Sequence, residues 1–478
     1  MTKKILLSFW AAIVGTLCFT SCSSDSSEDS SAQENTTESV AEENLVRAVS
    51  MMEAAIEHYF TGGTTKLLRY YNPLTNANKD NEVGSVWMYT SSIEATNAIL
   101  QALTDIRSSK PELYEQYYQK YVSQLAWLYD GLEYYAGTFT HRSYTQTKEW
   151  TVYGVDRSES KGNVNVGGIG NVYDDQEWLI HELVHSYQLT SNSSYLSKAE
   201  YLTDYVLDGW DCDVDAEGNE FGGITWGPGY DTKHACSNAP IIAPLVWLHE
   251  IYKGQPDVIK YRTIQPNRQR VEVEKSKAEY YLAFAEKIYN WQKRYLLKDD
   301  GVYSDLMEVS HPYQTENVDG IEYRQGNPVT NQAGSSYTYN SGTMLSGGAE
   351  LYRVTGNAEY LTDIQQLTSA TFSYFAHLGE AKDGYYSYPI EGFSPWFNDV
   401  LLTGYIKTYN QYSAASAQIA TFQQNLDNGW TVKQGNLLPV NLLVGWAKQP
   451  DQNNVEALFT FGYISEYAQL SSYELNKN

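Results

Sequence analysis

An internal repeat constrains the fold of this 478-residue chain. A shift of 165 residues aligns the segment from Tyr187 to Asn192 with the segment from Tyr352 to Asn357. The same shift aligns Leu202-Thr203 with Leu367-Thr368. Each copy has the pattern of a helix, a tight turn and a second helix, so the repeat predicts a fold built from helical hairpins.

Apolar residues recur at helical spacing in twelve segments after residue 44. The predicted helices span residues 45–59, 87–106, 111–135, 174–189, 195–207, 239–252, 275–297, 341–354, 360–378, 397–414, 417–425 and 455–470. Thr138–Val166 alternates polar and β-prone residues and predicts a hairpin or long loop, whereas no other run of strands is expected. Twelve helices paired as hairpins in one domain close naturally into a double ring, so we predict an all-α fold.

The first 21 residues are typical of a secretory signal, with Lys3-Lys4 before an apolar run too short to span a membrane. The residues before Cys22 resemble a bacterial lipoprotein signal, which predicts Cys22 as the lipidated mature N-terminus. Phe19 departs from the aliphatic residue usual there, which leaves ordinary cleavage nearby open. Residues 22–44 are rich in serine and acid, so a flexible tether is predicted before one domain at 45–478.

The tether also resembles the surface-export signal of Bacteroidetes lipoproteins. We therefore expect an outer-membrane lipoprotein exposed at the cell surface, with the periplasmic face as the alternative. Contact with the membrane is expected only through the lipid anchor, and the protein is expected to be a monomer.

The charge balance excludes some partners. The chain has 58 acidic and 33 basic side chains, a net charge of −25, which disfavours nucleic acid and anionic membrane surfaces as ligands. It also has 42 Tyr and 12 Trp, whose flat faces and hydrogen-bonding tips suit sugars but also pack helices. A neutral ligand such as a polysaccharide fits this composition better than a charged one.

Two adjacent carboxylates, Asp174 and Asp175, stand where the glycine-rich segment 167–170 gives way to a predicted helix. Neighbouring Cα atoms are about 3.8 Å apart, so the two carboxyl groups can be held roughly 5 Å from each other. That separation suits a retaining glycosidase. The alternative is helix capping, because Asp174 with Glu177 also matches a capping box.

The motif His181-Glu182-Leu-Val-His185 matches the HExxH pattern of zinc peptidases. No third ligand follows in a suitable setting, and the repeat places Ser346, Gly347 and Glu350 opposite these three residues. We therefore expect no metal and no cofactor, with a zinc metallopeptidase as an alternative. Cys212 and Cys236 remain after the signal segment, and a disulfide between them is possible outside the cytoplasm.

Several motifs give the chain a resemblance to glycoside hydrolase family 76, the α-1,6-mannanases, over roughly residues 85–470. The motifs are Tyr173-Asp174-Asp175-Gln-Glu-Trp178, Gly222-Gly223-Ile-Thr-Trp226, Cys236-Ser-Asn238-Ala-Pro240, Tyr339-Asn340-Ser-Gly342, Asp300-Gly301-Val-Tyr-Ser-Asp305 and the run from Tyr352 to Leu361. The resemblance implies an (α/α)6 barrel and retaining, endo-acting hydrolysis of α-1,6-mannosidic bonds in α-mannan. It implies Asp174 as nucleophile and Asp175 as general acid/base.

The chain departs from the family pattern at two places. Phe397-Asn398-Asp399 stands where the family often has Phe-Lys-Gly, and the insertion at Thr138–Val166 is unusual. Both departures bear on which glycan fits the site. A non-catalytic, surface glycan-binding lipoprotein is the alternative of a different class, and it would need no pair of carboxylates.

The remaining candidate residues are predicted to bind the glycan. Aromatic rings are candidates for stacking on sugars, amides for hydrogen bonds to hydroxyl groups, and two glycines belong to a family motif. These residues are Trp178, Trp226, Tyr339, Trp396, Asn238, Asn340, Gly222 and Gly223. For each aromatic residue, packing inside the domain is an equally good interpretation.

Overall fold

The structure is a computed structural model that describes residues 27–215, 217–312, 314–324 and 329–477. The predicted signal segment 1–21 and Cys22 lie outside the described residues. Within the described part, none of the helices combines the length and the apolar character needed to cross a membrane.

Twelve α-helices lie in the described residues, the number that the sequence predicts. They are α1 (Ser27–Tyr59), α2 (Val86–Ile106), α3 (Pro111–Leu132), α4 (Tyr173–Thr190), α5 (Ser193–Asp208), α6 (Ile242–Tyr252), α7 (Lys277–Leu296), α8 (Thr338–Thr355), α9 (Ala358–Phe375), α10 (Ser394–Tyr409), α11 (Ser416–Trp430) and α12 (Ala457–Asn476).

The helices form two concentric rings. Helices α2, α4, α6, α8, α10 and α12 each pack against the next, and α12 packs against α2, which closes the inner ring. Helices α3, α5, α7, α9 and α11 each pack outside the inner helix that precedes them, and α1 completes the outer ring against α12 and α2. The predicted (α/α)6 barrel is therefore confirmed.

The repeat predicted from the sequence corresponds to two helical hairpins, α4–α5 and α8–α9. Ser191 follows the last residue of α4 and Gly356 follows that of α8, both in the left-handed region, with φ of 57° and 67°. Asn192 and Asn357 follow, and each side chain accepts a hydrogen bond from a backbone N–H in the first turn of the outer helix. The same turn chemistry therefore builds both hairpins.

The first helix is longer than predicted. It begins at Ser27, inside the segment 22–44 that the sequence predicts as a flexible tether. From residue 38 onward its side chains are described, and Ala41 and Asn44 are buried. The Asn44 amide donates to Gln423 Oε1 at 2.7 Å, and the Ser471 hydroxyl donates to the Ala41 carbonyl. The barrel therefore begins before residue 45, because a polar-looking segment has one face that packs on α11 and α12.

Short strands occupy the connections between helices. They are β1 (Tyr70–Asn72), β2 (Ala77–Asn78), β3 (Ala136–Arg142), β4 (Thr147–Tyr153), β5 (Lys233–His234), β6 (Val258–Ile264), β7 (Arg270–Ser276), β8 (Leu306–Val309), β9 (Thr315–Val318), β10 (Ile321–Arg324), β11 (Val329–Ala333), β12 (His377–Leu378), β13 (Tyr386–Ser387) and β14 (Val455–Glu456). The predicted hairpin is confirmed as β3–β4, with Ala136 opposite Tyr153 and Arg142 opposite Thr147.

The prediction of no further strands is wrong, most clearly for β6–β7. These strands pair from Val258 with Ser276 to Ile264 with Arg270. Their turn places Arg268 in the left-handed region, with φ of 64°, rather than a glycine or asparagine. Pro266 and Asn267 favour a turn here, but the glycine that usually occupies the left-handed position of such a hairpin is absent.

A buried ion pair holds the long connection between α5 and α6. Lys233 Nζ lies 2.6 Å from Asp211 Oδ2, and the two side chains are 0% and 1% exposed. The same ammonium donates to the Gly222 carbonyl at 2.5 Å. Farther along this connection, the Trp226 carbonyl accepts a hydrogen bond from the backbone N–H of Tyr173, the first residue of α4. The ion pair therefore helps to fix the start of α4.

We expect Lys233→Met to destabilise the fold strongly, because it removes the ammonium group that lies 2.6 Å from the buried Asp211 carboxylate. The expected loss is about 3–5 kcal/mol of unfolding free energy, measured by chemical denaturation. Lys120→Met is the matched control, since Lys120 pairs with Glu53 at the surface and should cost at most about 1 kcal/mol. Equal, small losses in both variants would contradict this role.

Candidate active site

The first turn of α4 is held from two sides. On one side, the Trp226 carbonyl accepts from the Tyr173 backbone N–H at 2.8 Å. On the other side, the Gln176 side chain donates to the Tyr153 carbonyl at 2.7 Å and accepts from the Tyr153 N–H at 3.1 Å. The β3–β4 hairpin and the α5–α6 connection thus fix the direction in which the next two side chains leave the helix.

Asp174 is half-buried and surrounded by hydrogen-bond donors. Its Oδ1 accepts from the Asp175 backbone N–H at 2.8 Å, and its Oδ2 accepts from the Trp226 indole N–H at 3.2 Å. The Cys236 thiol is also hydrogen-bonded to this carboxyl group. Burial raises the pKa of Asp174 to about 6, while these donors favour the ionised form and limit the rise.

Asp175 has a different environment, although it is the next residue. It is 7% exposed, and burial raises its pKa well above the ordinary value for an aspartate. The negative charge of Asp174 raises the pKa further. Because two close carboxyl groups do not ionise together readily, this pair keeps one proton near neutral pH, and the environments assign it to Asp175.

The capping interpretation of this segment does not hold. The N-cap of α4 is Val172, and no side chain forms a cap hydrogen bond there. Glu177 is fully buried and turns instead to the start of the next inner helix, where its Oε2 accepts from the Ile241 N–H at 3.1 Å. Burial, and then the charge of Asp174, raise the Glu177 pKa. A third carboxyl group therefore lies close to the pair.

The predicted aromatic residues gather at the same mouth of the barrel, but most of them are packed. Trp178 meets Trp396 edge to face at 4.9 Å between ring centroids, and the two residues are 9% and 2% exposed. Tyr339 is 6% exposed, and its hydroxyl donates to Asp305 Oδ1 at 2.9 Å. Trp226 is the more open ring, stacked on His234 at 4.9 Å. Trp226 is therefore the best placed of the four for a sugar.

The two predicted amide ligands are both buried. The Asn238 side chain accepts from the Ile224 N–H at 2.8 Å and donates to the carbonyls of Ile224 and His234. The Asn340 amide lies 3.5 Å from the Tyr303 carbonyl, and its Oδ1 has no hydrogen-bond partner. Asn238 therefore holds the backbone of a turn, while a role for Asn340 in binding the glycan stays a prediction.

The two predicted glycines are also structural. Gly222 and Gly223 have φ of 72° and 78°, which favours glycine. A Cβ atom at Gly223 would lie 2.4 Å from the Trp291 ring, and one at Gly222 would lie 3.0 Å from the Trp210 ring. Glycine is therefore required at both positions for this turn to pack closely on the Trp210 and Trp291 rings. This packing explains the two glycines without a contact to the substrate.

The possible disulfide is not formed. Cys212 and Cys236 are free thiols in the structure. Cys236 lies against the Asp174 carboxyl group, while Cys212 is buried beside a different pocket lined by Trp210 and Glu220. The two thiols therefore lie in different parts of the structure.

The HExxH residues line a different part of the molecule, a central cavity of about 500 Å³ that extends to the carboxyl ends of the inner helices. Both oxygens of the Glu182 carboxylate are hydrogen-bonded there, one to His181 Nδ1 at 2.8 Å and the other to Asn97 Nδ2 at 2.7 Å. The described residues contain no group of three or more His, Cys, Asp or Glu side chains that could hold a metal ion.

Glu94 is a half-buried residue of this region that the sequence analysis missed. Its Oε2 accepts from the Trp396 indole N–H at 2.9 Å, so it holds the ring beneath the mouth. Burial and the charge of Glu182 raise the Glu94 pKa to about 8, against which the hydrogen bond from Trp396 acts. No local pattern around Glu94 marks it, because its role depends on contact with a helix at the far end of the chain.

Comparisons with known proteins agree with this fold. Residues 272–426 match the model for glycosyl hydrolase family 76. A family 76 glycoside hydrolase from a bovine Bacteroides thetaiotaomicron strain is 20% identical, with a TM-score of 0.65 over 90% of this chain and 77% of that chain. A family 76 mannosidase from Bacteroides thetaiotaomicron VPI-5482 is 18% identical, with a TM-score of 0.65 over 91% of this chain and 100% of that chain. No curated protein matches the chain.

The GH76A α-1,6-mannanase from Salegentibacter sp. HEL1_6 is 18% identical, with a TM-score of 0.59 over 90% of this chain and 99% of that chain. Variants of that enzyme in which two consecutive aspartates are replaced are described as inactive and were solved with α-1,6-mannotriose and α-1,6-mannotetrose. The match over residues 272–426 and the shared fold confirm the predicted resemblance of this chain to glycoside hydrolase family 76.

Proposed function

We propose that the protein is a retaining glycoside hydrolase that cleaves α-1,6-mannosidic linkages within α-mannan. The observation that carries the proposal is the pair Asp174 and Asp175, adjacent in sequence but different in surroundings, at the first turn of an inner barrel helix. The Salegentibacter variants described above support it, because the loss of two consecutive aspartates accompanies the loss of activity in that protein.

The reaction proceeds in two steps. In the first, an oxygen of ionised Asp174 attacks the anomeric carbon, while protonated Asp175 gives its proton to the departing glycosidic oxygen. In the second, Asp175 takes a proton from water, whose oxygen attacks the same carbon and releases the Asp174 carboxylate. Two displacements restore both carboxyl groups and retain the configuration of the sugar.

The hydrogen bonds at the site support this assignment of roles. Asp174 accepts from the Trp226 indole and from a backbone N–H, and both donors favour the ionised form that a nucleophile requires. Asp175 is nearly buried beside a negative charge, which favours the protonated form that a general acid requires. The amino-terminal end of α4 adds a positive potential near the ionised partner.

We also propose that the protein is exported and held at the outer membrane. The predicted signal segment and the lipidation residue Cys22 favour export and attachment to the outer membrane by a lipid. The net charge of −25 favours a neutral polysaccharide as the substrate. We propose a monomeric protein that cuts α-mannan at the cell surface, with internal bonds as its targets.

A non-catalytic glycan-binding protein is the second candidate, and one observation favours it. Neither the central cavity nor the second large cavity, which opens at the mouth, is lined by Asp174 or Asp175. Asp174 instead lies beside the half-buried Trp226, and Asp175 is buried next to it. Binding of mannan by an inactive wild-type protein would support this second function.

We expect Asp174→Asn and Asp175→Asn each to lower kcat on α-1,6-mannan by at least roughly 10³-fold, because each removes one of two chemical roles. Product release measured by chromatography tests the expectation. Asp383→Asn, an exposed acid outside the site, is the matched control and should keep full activity. Normal turnover in either site variant would refute the proposed mechanism.

We expect the rate constant kcat/KM to rise with pH through about 6, where Asp174 loses its proton. Trp226→Phe removes a hydrogen bond that favours the ionised carboxylate, so this acidic limb should move to higher pH. A pH profile of kcat/KM provides the measurement. Trp127→Phe, on the outer helix α3, is the control and should leave the limb in place. An unchanged limb in Trp226→Phe would contradict the assignment of Asp174 as the ionised partner.

A further inference from the structure

We propose that a second cavity at the barrel mouth is a remote binding subsite for neutral sugar units of the same glycan. This inference rests on the proposed function. The remote cavity has a volume of about 610 Å³, within the range of ligand pockets. The residues that carry the argument are Tyr337, Tyr388, Asn398, Asn425 and Glu466, all of which line it.

The remote cavity opens at the same end of the barrel as the aspartate pair. Tyr337 is the residue immediately before α8, and Asn398 lies in the second turn of α10. The β12–β13 hairpin contributes His377 and Ser387 to the wall. Because the starts of the inner helices meet at one mouth, the cavity and Asp174 are reached from the same side.

A path of aromatic rings leads from Asp174 toward the remote cavity. Tyr339 is close enough to Asp174 that the charge of this carboxylate contributes to a raised Tyr339 pKa, after the larger effects of burial, Cys236 and Asp305. Tyr339 is buried and stacks with Tyr337 at 6.1 Å between ring centroids and 14° between planes. Tyr337 is 36% exposed and lines the cavity. The buried ring thus supports an exposed one, whose flat face suits a sugar.

The wall of the remote cavity includes a polar side chain, Asn425. It is 8% exposed, and its amide donates to the Tyr386 carbonyl at 2.9 Å. Its Oδ1 is buried beneath the cavity surface without a hydrogen-bond partner. The Asn425 amide therefore gives the wall a polar element among its aromatic rings.

Glu466 supplies the complementary group. It is 2% exposed, and burial raises its pKa well above the ordinary value for a glutamate, which favours the neutral acid, a hydrogen-bond donor. The rings of Tyr388, Phe422 and Tyr463 form apolar walls around these polar atoms. A few polar groups among aromatic walls are typical of a site for a neutral polyhydroxy ligand.

Negative charge at the rim of the remote cavity disfavours anionic ligands. Glu380 and Glu391 are exposed and line the opening, while the lining contains no lysine or arginine among the described residues. An anionic ligand such as a phosphorylated glycan would therefore be repelled. Neutral mannose units that extend from the bond being cut fit both the wall and the rim.

A chain-length series tests the proposal, with Ala381→Trp as the blocking variant. Ala381 is exposed and lines the cavity, so an indole there would fill it without disturbing the core. We expect kcat/KM for long α-1,6-manno-oligosaccharides to fall at least about tenfold, while hydrolysis of the shortest cleaved oligosaccharide stays within about twofold. Ala358→Trp, exposed at the opposite end of the barrel, is the matched control.

Tyr337→Ala provides a second variant that removes a ring from the path without filling the cavity. It should show the same selective loss on long substrates. Equal rates on all chain lengths in both Ala381→Trp and Tyr337→Ala would overturn the subsite while leaving the proposed hydrolase intact.

If the wild-type protein hydrolyses no α-1,6-mannan, the proposed function fails, and titration calorimetry with α-1,6-mannotetraose then decides on the cavity. Binding that weakens in Ala381→Trp and not in Ala358→Trp would support a glycan site. The absence of binding, or equal binding in both variants, would overturn it.

Discussion

The inner helices of the barrel run in the same direction, so their amino-terminal ends must meet at one mouth. Contacts in the structure show this meeting directly: Trp396 at the start of α10 touches Trp87 at the start of α2 and Trp178 in α4. Glu177 in α4 bonds to Ile241 just before α6. The ring closure therefore collects residues from distant parts of the chain around the first turn of α4, where the aspartate pair lies.

The electrostatics of this mouth follow from burial more than from any single partner. Burial is the largest cause of the raised pKa of Asp174, Asp175 and Glu177, three carboxyl groups within one turn of α4. Of these three groups, only Asp174 accepts hydrogen bonds from several donors. This difference in surroundings favours the ionised form at Asp174, as a nucleophile requires, and the protonated form at Asp175, as a general acid requires. The barrel thus buries three carboxyl groups in a place that would otherwise favour apolar residues. Carboxyl groups with pKa values raised in this way are typical of sites for acid–base chemistry.

Much of the fold was predictable because helical spacing and turn chemistry are local. The repeat located α4–α5 and α8–α9 with their left-handed ends at Ser191 and Gly356. The site was predictable only where one motif carries it, as for Asp174 and Asp175. The burial of Asn238 and the contact of Glu94 with Trp396 depend on segments far apart in sequence, so no local pattern reveals them. The β6–β7 hairpin was missed although Pro266 and Asn267 favour a turn, because Arg268 stands at the left-handed position where glycine is usual.

The central claim is that Asp174 forms a covalent bond to the sugar while Asp175 transfers the proton. The most direct measurement is peptide mapping by mass spectrometry after reaction with a fluorinated mannosyl substrate, whose glycosyl–enzyme intermediate hydrolyses slowly. The account predicts one mannosyl unit attached to Asp174. A label on any other residue, or turnover of the substrate with no covalent label, would contradict it.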